Sequence, residues 1–303
     1  MRVLIVGCGY VGIPLGAELV RQGHEVFGLR RGMGAAAEFK WAGIKPLTGD
    51  ITKAEQLARL PEEYDWVVNC VSASGGGAEE YREVYLRGTR NLIGWLGAAP
   101  PKKFVYISST SVYGQNDGSL VKENSLTEPV SETGKILVET ERVLLEAARR
   151  SSFPAVILRL AGIYGPGRGY WFRQYLKNEA SLEGAGGRIL NMIHRDDVVG
   201  VIVAALEKGR SGEVYNAVDD EPVSQLGFFQ WLSGRLRKEL PPAVPEDSEA
   251  LRKRGITNKR VANCRLKADL GYEFKYPTFR EGYAVEIRRT LRAGAVDGKS
   301  VSA

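Results

Sequence analysis

Gly7, Gly9 and Gly12 stand in G-x-G-x-x-G spacing, between the apolar run Val3–Val6 and a segment where Val11, Leu15, Leu19 and Val20 recur at helical spacing. A strand, a glycine turn and a helix in that order are suited to a dinucleotide pyrophosphate. The first glycine permits the turn, the second lets the phosphates approach the backbone, and the third lets helix and strand pack closely. Turn amides and the positive end of the helix then face the phosphates. A second charged feature follows the apolar stretch His24–Leu29: Arg30 and Arg31, with no Asp or Glu beside them. At the end of the second strand an acid would bind the ribose 2′-hydroxyl, whereas arginine suits a 2′-phosphate. The reading is therefore NADP, with NAD as second choice. The three cysteines (Cys8, Cys70, Cys264) and two histidines (His24, His194) show no metal-ligand spacing, so no metal site is expected. Cys8, inside the glycine turn, reads as a small filler. His194 has the intrinsic pKa of an acid/base. It opens a helix beside Asp196 and Asp197, however, and reads as a hydrogen-bonded structural residue.

The elements that must position these groups alternate in type. Strands are expected at Ile44–Leu47, Asp65–Cys70, Lys103–Ile107 and Ala155–Leu160, with helices at Glu79–Leu96 and Gly134–Arg150. This alternation predicts an α/β fold, a Rossmann-like doubly wound parallel sheet. After Gly162 the texture changes to glycine-rich loops at Gly165–Gly169 and Gly184–Gly187. A helix at Asp196–Glu207 and a strand at Glu213–Asn216 then return. The division expected is residues 1–164 plus about 195–218 for the dinucleotide-binding domain. Residues 165–194 and 219–292 form a smaller C-terminal substrate-binding cap over the strand ends, where ligands bind in such sheets. Small helices are expected at Phe228–Leu240 and Leu266–Leu270, an exposed link around Pro241, Pro242 and Pro245, and a disordered tail over 293–303.

Composition narrows the function classes. The chain has 303 residues, 44% hydrophobic and 26% charged, ordinary for a globular protein. No apolar run reaches the length of a membrane span, and Met1 leads directly into the first strand. A cytoplasmic, reducing setting is expected from these features and the scattered cysteines. Net charge is +6, with basic residues concentrated at Arg235–Lys238 and Arg252–Arg260. These carry no aromatic interleaving or recognisable module, so nucleic acid is not an expected partner. They read as a solvated face or as attraction for an anionic cofactor or substrate.

Taken as an ordered series, several segments resemble the extended and atypical short-chain dehydrogenase/reductases, the NAD(P)-dependent epimerase/dehydratase group. They are VLIVGCGYVG, Gly49–Ile51, VVNCVSA at Val67–Ala73, VYISSTSVYG at Val105–Gly114, RLAGIYGPG at Arg159–Gly167, NMIHRDDVV at Asn191–Val199 and YNAVDDEP at Tyr215–Pro222. Val6 stands where a first glycine is common, which is similar to an atypical subgroup. The resemblance implies that Gly7, Gly9, Tyr10, Val11 and Gly12 hold the pyrophosphate. It implies that Asp50 and Ile51 flank the adenine, that Cys70, Val71 and Ser72 line the cofactor's middle, and that Gly162 and Ile163 approach the nicotinamide. Ser109 matches the active-site serine that hydrogen-bonds a substrate oxygen; a strand-end cap is its simpler role. Pairing of two copies through the helix near Gly134 is also implied.

The family's Tyr-x-x-x-Lys pair is missing. One register aligns Lys135 with the lysine and puts Ser131 at the tyrosine. The register preferred here, anchored on Gly134 and Glu141, puts Thr133 at the tyrosine and Leu137 at the lysine. An unassisted hydroxyl of Ser or Thr is too weak an acid for the tyrosine's task near pH 7. Thr133 is left to orient an oxygen or a water, and Lys135 to act as a replacement acid or as a solvated surface lysine. Tyr113, Tyr164 and Tyr170 are near enough in the chain to enter the site from loops. Two functions are expected on this basis. One is an NAD(P)-dependent oxidoreductase or epimerase/dehydratase-like enzyme on a small hydroxyl or carbonyl substrate, sugar nucleotides included, with a non-standard site. The other is a non-catalytic NADP(H)-binding redox sensor or regulatory module.

Overall fold

The computed structural model describes residues 1–303 except Met33, Ala35, Glu62, Ser74, Gly76, 246–256 and 298–303. Seven strands form one sheet: β1 (Arg2–Val6), β2 (Glu25–Arg30), β3 (Lys45–Thr48), β4 (Trp66–Asn69), β5 (Lys103–Ser109), β6 (Ala155–Leu160) and β7 (Val214–Ala217). Their order is β3-β2-β1-β4-β5-β6-β7, and every neighbouring pair is parallel. The order reverses direction between β1 and β4, the switch point where open α/β sheets bind ligands.

The near-continuous apolar strands are explained by burial on both faces. Val3 and Ile5 pack on one face with Val68, Val105 and Leu158, beneath the helices Gly12–Arg21 and Arg195–Lys208. Leu4 and Val6 face the other way with Val67, Phe104, Tyr106 and Ile157, against the helices Gly88–Leu96 and Glu132–Ser151. A third cluster, rich in aromatics, gathers Phe172, Tyr175, Phe228, Phe229, Phe279 and Tyr283.

A buried polar network locks β5, β6 and β7 to the Glu132–Ser151 helix. Arg159 and Glu141 pair at 2.7 Å. Ser108 Oγ donates to Glu141 at 2.6 Å. Arg159 also donates to the Tyr113 hydroxyl, which donates to Asn216, each at 2.8 Å. The charges neutralise each other, which lets them stay buried. This fixes the end of β5, where Ser109 sits.

Several boundaries differ from expectation. The stretch expected as one helix at Glu79–Leu96 is divided into α-helix Ala78–Tyr81, π-helix Arg82–Arg87 and α-helix Gly88–Leu96. Val84 and Leu86 are both buried in the π-helical turn. The Pro241–Pro245 link contains a strand, Ala243–Val244, parallel to Leu182–Glu183. Pro242 lacks an N–H, but its carbonyl accepts from Leu182 at 2.9 Å. The expected tail from Ala293 is helical as far as Asp297, because the helix from Phe279 continues through it; the rest of that tail and most of the Arg252–Arg260 run lie outside the described residues. Gly162–Tyr164, for which no element was expected, pairs in parallel with Met192–His194. Among the described residues no helix is long and apolar enough to cross a membrane.

Candidate functional site

The glycine turn crosses from β1 to the Gly12–Arg21 helix at the switch point. Gly7 has φ 75°, and a Cβ there would lie 2.6 Å from the Val71 Cα, so no other residue fits without moving the β4 loop. Its amide donates to Leu29 O at 3.0 Å, tying the turn to β2. Gly9 is different: a Cβ there would meet only Gly7 O, at 3.8 Å. Space is open over Gly9, as close approach of a pyrophosphate requires. A Cβ on Gly12 would come within 3.0 Å of Ile5, the close helix–strand packing expected of the third glycine.

Three cavities meet along the strand ends. The first, about 370 Å³, is lined by Gly7, Gly9, Arg30, Arg31, Asp50, Ile51, Val71 and Ser72 among others. Asp50 is engaged locally, its Oδ1 accepting from the Thr52 amide at 2.9 Å. The second, about 340 Å³, shares Gly7, Gly9, Val71 and Ser72 with the first. It adds Tyr10, Val11, Cys70, Tyr81, Tyr85, Ser109, Leu137, Gly162, Ile163 and Arg168. The third, about 370 Å³, shares Ser109, Ser111, Gly162 and Ile163 with the second. It adds Tyr164, Tyr170, Arg188, Lys259 and Tyr283. The shared residues set the three side by side, a row of cavities that forms a trough along the strand ends. Of the glycine-turn residues singled out from sequence, Gly12 lines none of the three cavities and is buried in the packing.

At the middle of the trough, Ser109 Oγ accepts from the Ser111 amide at 3.1 Å. It therefore caps the turn after β5 and lines both the second and third cavities. Thr133 is half-buried, its hydroxyl 3.4 Å from Ser131 Oγ. Ser131 caps the Glu132–Ser151 helix, accepting from the Gly134 amide at 3.2 Å. Lys135 is exposed and paired to Glu132 at 2.6 Å. Leu137 is the residue of this helix that lines the second cavity. Tyr113 has its hydroxyl committed to the Arg159–Asn216 network. Tyr164 lines the third cavity and stacks on Tyr283 at 4.2 Å.

His194 is fully buried. Its Nδ1 accepts from the Asp196 amide at 3.1 Å, capping the Arg195–Lys208 helix, and Nε2 lies 3.5 Å from Glu286. Burial lowers its pKa to about 4, so the ring is neutral at pH 7. Burial pushes the Cys8 thiol up to about 12, which leaves it unreactive. No cluster among the described residues could hold a metal ion.

The sequence reading missed several groups in the trough. Arg168 stands over the ring of Tyr10, 5.1 Å from its centre, and lines the second cavity. Tyr81 and Tyr85 enter from the π-helical region. Arg188 and Lys259 enter from segments far apart in the chain. Lys259 is only 4% exposed, and its Nζ donates to Tyr113 O at 3.0 Å. No motif marks these positions; folding alone brings them in.

A doubly wound parallel sheet with a glycine turn at its switch point, open to a long trough, defines a dinucleotide-binding α/β protein. The chain belongs to the NAD dependent epimerase/dehydratase family, whose pattern it matches over residues 3–217. It is 27% identical to Protein YeeZ of Escherichia coli (strain K12), over 91% of this chain and 96% of the relative. It is also 27% identical to a 3-diazoavenalumate denitrifying reductase of Streptomyces sp, over 94% and 100%. Its fold is that of DesIV, a dTDP-glucose 4,6-dehydratase from Streptomyces venezuelae solved with NAD and TYD bound. The TM-score is 0.81 at 22% identity, covering 95% of this chain and 96% of that one.

Proposed function

We propose that this protein is an NADP-dependent oxidoreductase or epimerase acting on a hydroxyl or carbonyl group of a small-molecule substrate. The observation that carries the reading is the row of adjacent cavities that share lining residues, from Arg30 and Arg31 past the glycine turn to Ser109 and on to Lys259. The residues present fit the cofactor: open space over Gly9 admits a pyrophosphate, and two arginines without an acid at the end of β2 suit a 2′-phosphate. Gly7, Gly9, Tyr10, Val11 and Gly12 would hold the pyrophosphate, and Asp50 and Ile51 would flank the adenine. Cys70, Val71 and Ser72 would line the middle of the cofactor, and Gly162 and Ile163 would approach the nicotinamide. When bound, the cofactor supplies or accepts a hydride. Ser109 would donate to the substrate oxygen, and Thr133 would orient an oxygen or a water. Lys135 would have to leave Glu132 to take part. Segments 165–194 and 219–292 would close over the substrate end.

Spectrophotometric NADPH oxidation against aldehydes, ketones and dTDP-glucose-derived 4-ketosugars, with NADP+ reduction against UDP-sugars, tests the reading; the ketosugars enter because DesIV is named for dTDP-glucose. Turnover is expected, and Ser109→Ala should lower kcat about 10²-fold with NADPH affinity unchanged. A second reading, a non-catalytic NADP(H) sensor, is favoured by Leu137 in the cavity where a lysine is expected. It requires tight NADPH binding without turnover, and a partner that discriminates the two redox forms. Turnover sensitive to Ser109→Ala excludes it.

A further inference from the structure

We propose that Lys259 is the proton donor and acceptor of this site, taking over the role of the missing tyrosine from another part of the fold. The proposal rests on the oxidoreductase reading above.

A buried ammonium ordinarily has a counter-charge, because an unpaired one is costly to desolvate. Lys259 has none among the described residues. Among the described residues one of its three N–H donors is engaged, by Tyr113 O, and none of those lining its cavity is a carboxylate. The titratable or charged groups facing that space are Arg188, Tyr164, Tyr170 and Tyr283. Ser109, Gly162 and Ile163 line the same cavity, so the lysine opens onto the space where a substrate oxygen would meet the serine. Its position is not left to a flexible stem alone. Asn191 Nδ2 donates to Lys259 O at 2.9 Å, and the flanking Val261 amide donates to Asn191 Oδ1 at 2.8 Å. Asn258, on the other side, accepts from the Ile189 amide at 3.0 Å. The side chain is thereby presented from a braced segment, as a group acting on reacting atoms must be.

Burial, with the nearby positive charge of Arg188, lowers the Lys259 ammonium to about 8. Both protonation states are then accessible near neutral pH, the condition for a general acid/base. In the reducing direction Lys259 gives a proton from Nζ to the carbonyl oxygen. The π pair of C=O becomes the new O–H bond, and the carbon gains the hydride supplied by a reduced nicotinamide, which is oxidised. The neutral amine regains its proton from water. In the reverse direction the neutral amine takes the hydroxyl proton. Lys135 can do neither where it stands, on the solvent face with Glu132.

Competitive acetylation read by mass spectrometry measures the titration of each lysine in the free protein without any substrate. Lys259 should titrate near pH 8, well below the exposed lysines; a midpoint near 10 overturns the proposal. Lys259→Arg then separates proton transfer from charge, since arginine stays protonated. Its kcat should fall about 10²-fold or more, and the basic limb of the wild-type pH profile should disappear. NADPH affinity, measured by fluorescence, should be unchanged, which also shows that the variant folds. Retention of full turnover by Lys259→Arg overturns the proposal and reduces Lys259 to a fixed charge. Absence of turnover in the wild type overturns the oxidoreductase reading itself and this proposal with it.

Discussion

Arg30 and Arg31 are the residues proposed to set cofactor choice. They line the first cavity together with Asp50, whose Oδ1 accepts from the Thr52 amide; two guanidinium groups beside one carboxylate leave these three groups net cationic. Arg30→Asp should weaken NADPH binding about 10-fold or more, the scale of a lost charged hydrogen bond, and should leave NADH binding less affected. Titration of both cofactors by fluorescence checks this; equal effects remove Arg30 from the 2′-phosphate site. At this scale the sequence was legible wherever chemistry is carried by a local motif. Gly7, Gly9 and Arg30 can be read because strand, turn and helix are contiguous. Lys259 could not be read, because it looked like one more cation in the basic run from Arg252.

At the scale of elements, His194 shows how a helix start can govern acid sensitivity. It caps the Arg195–Lys208 helix through neutral Nδ1. Its pKa in the folded protein, lowered to about 4 by burial, lies below the roughly 6.5 of an unfolded chain. As pH falls the unfolded chain takes the proton first. The stability tied to the neutral ring is therefore complete above about pH 6.5 and is lost as pH falls toward 4. His194→Asn keeps a capping acceptor but cannot titrate there, so its urea midpoint should fall less steeply across that window. Equal slopes would show that His194 does not set the acid response. The helix start was expected from sequence. The neutral state of the ring was not, since it depends on burial by Tyr276 and Tyr164, whose rings lie 4.1 and 5.2 Å away.

At the scale of the whole molecule, the cofactor trough gathers residues from β1, β2 and β5 and from the loops beyond β3, β4 and β6. A ligand spanning it would favour the folded state by mass action, about 2.7 kcal/mol at a concentration 100 times Kd. NADPH at that excess should raise Tm by about 5 °C, and NADH at the same concentration by less. A differential scanning measurement without any shift from either cofactor would remove the trough as a dinucleotide site. The network of Arg159, Glu141, Ser108, Tyr113 and Asn216 belongs to this scale too, since it joins three strands and a helix around the Ser109 end of β5.

By itself the sequence determined the parallel sheet, the glycine turn and the gap at Thr133 and Leu137. Each is written in contiguous residues whose period or type has one cheap backbone solution. Only the tertiary structure decided what fills the gap. It placed Leu137 in the second cavity and kept Lys135 in solvent with Glu132. It committed the Tyr113 hydroxyl to a buried network and brought Lys259 across 146 positions to the Tyr113 carbonyl. The reason is physical: the charge state and reach of a side chain depend on what buries it, and burial joins residues with no sequence relation to each other.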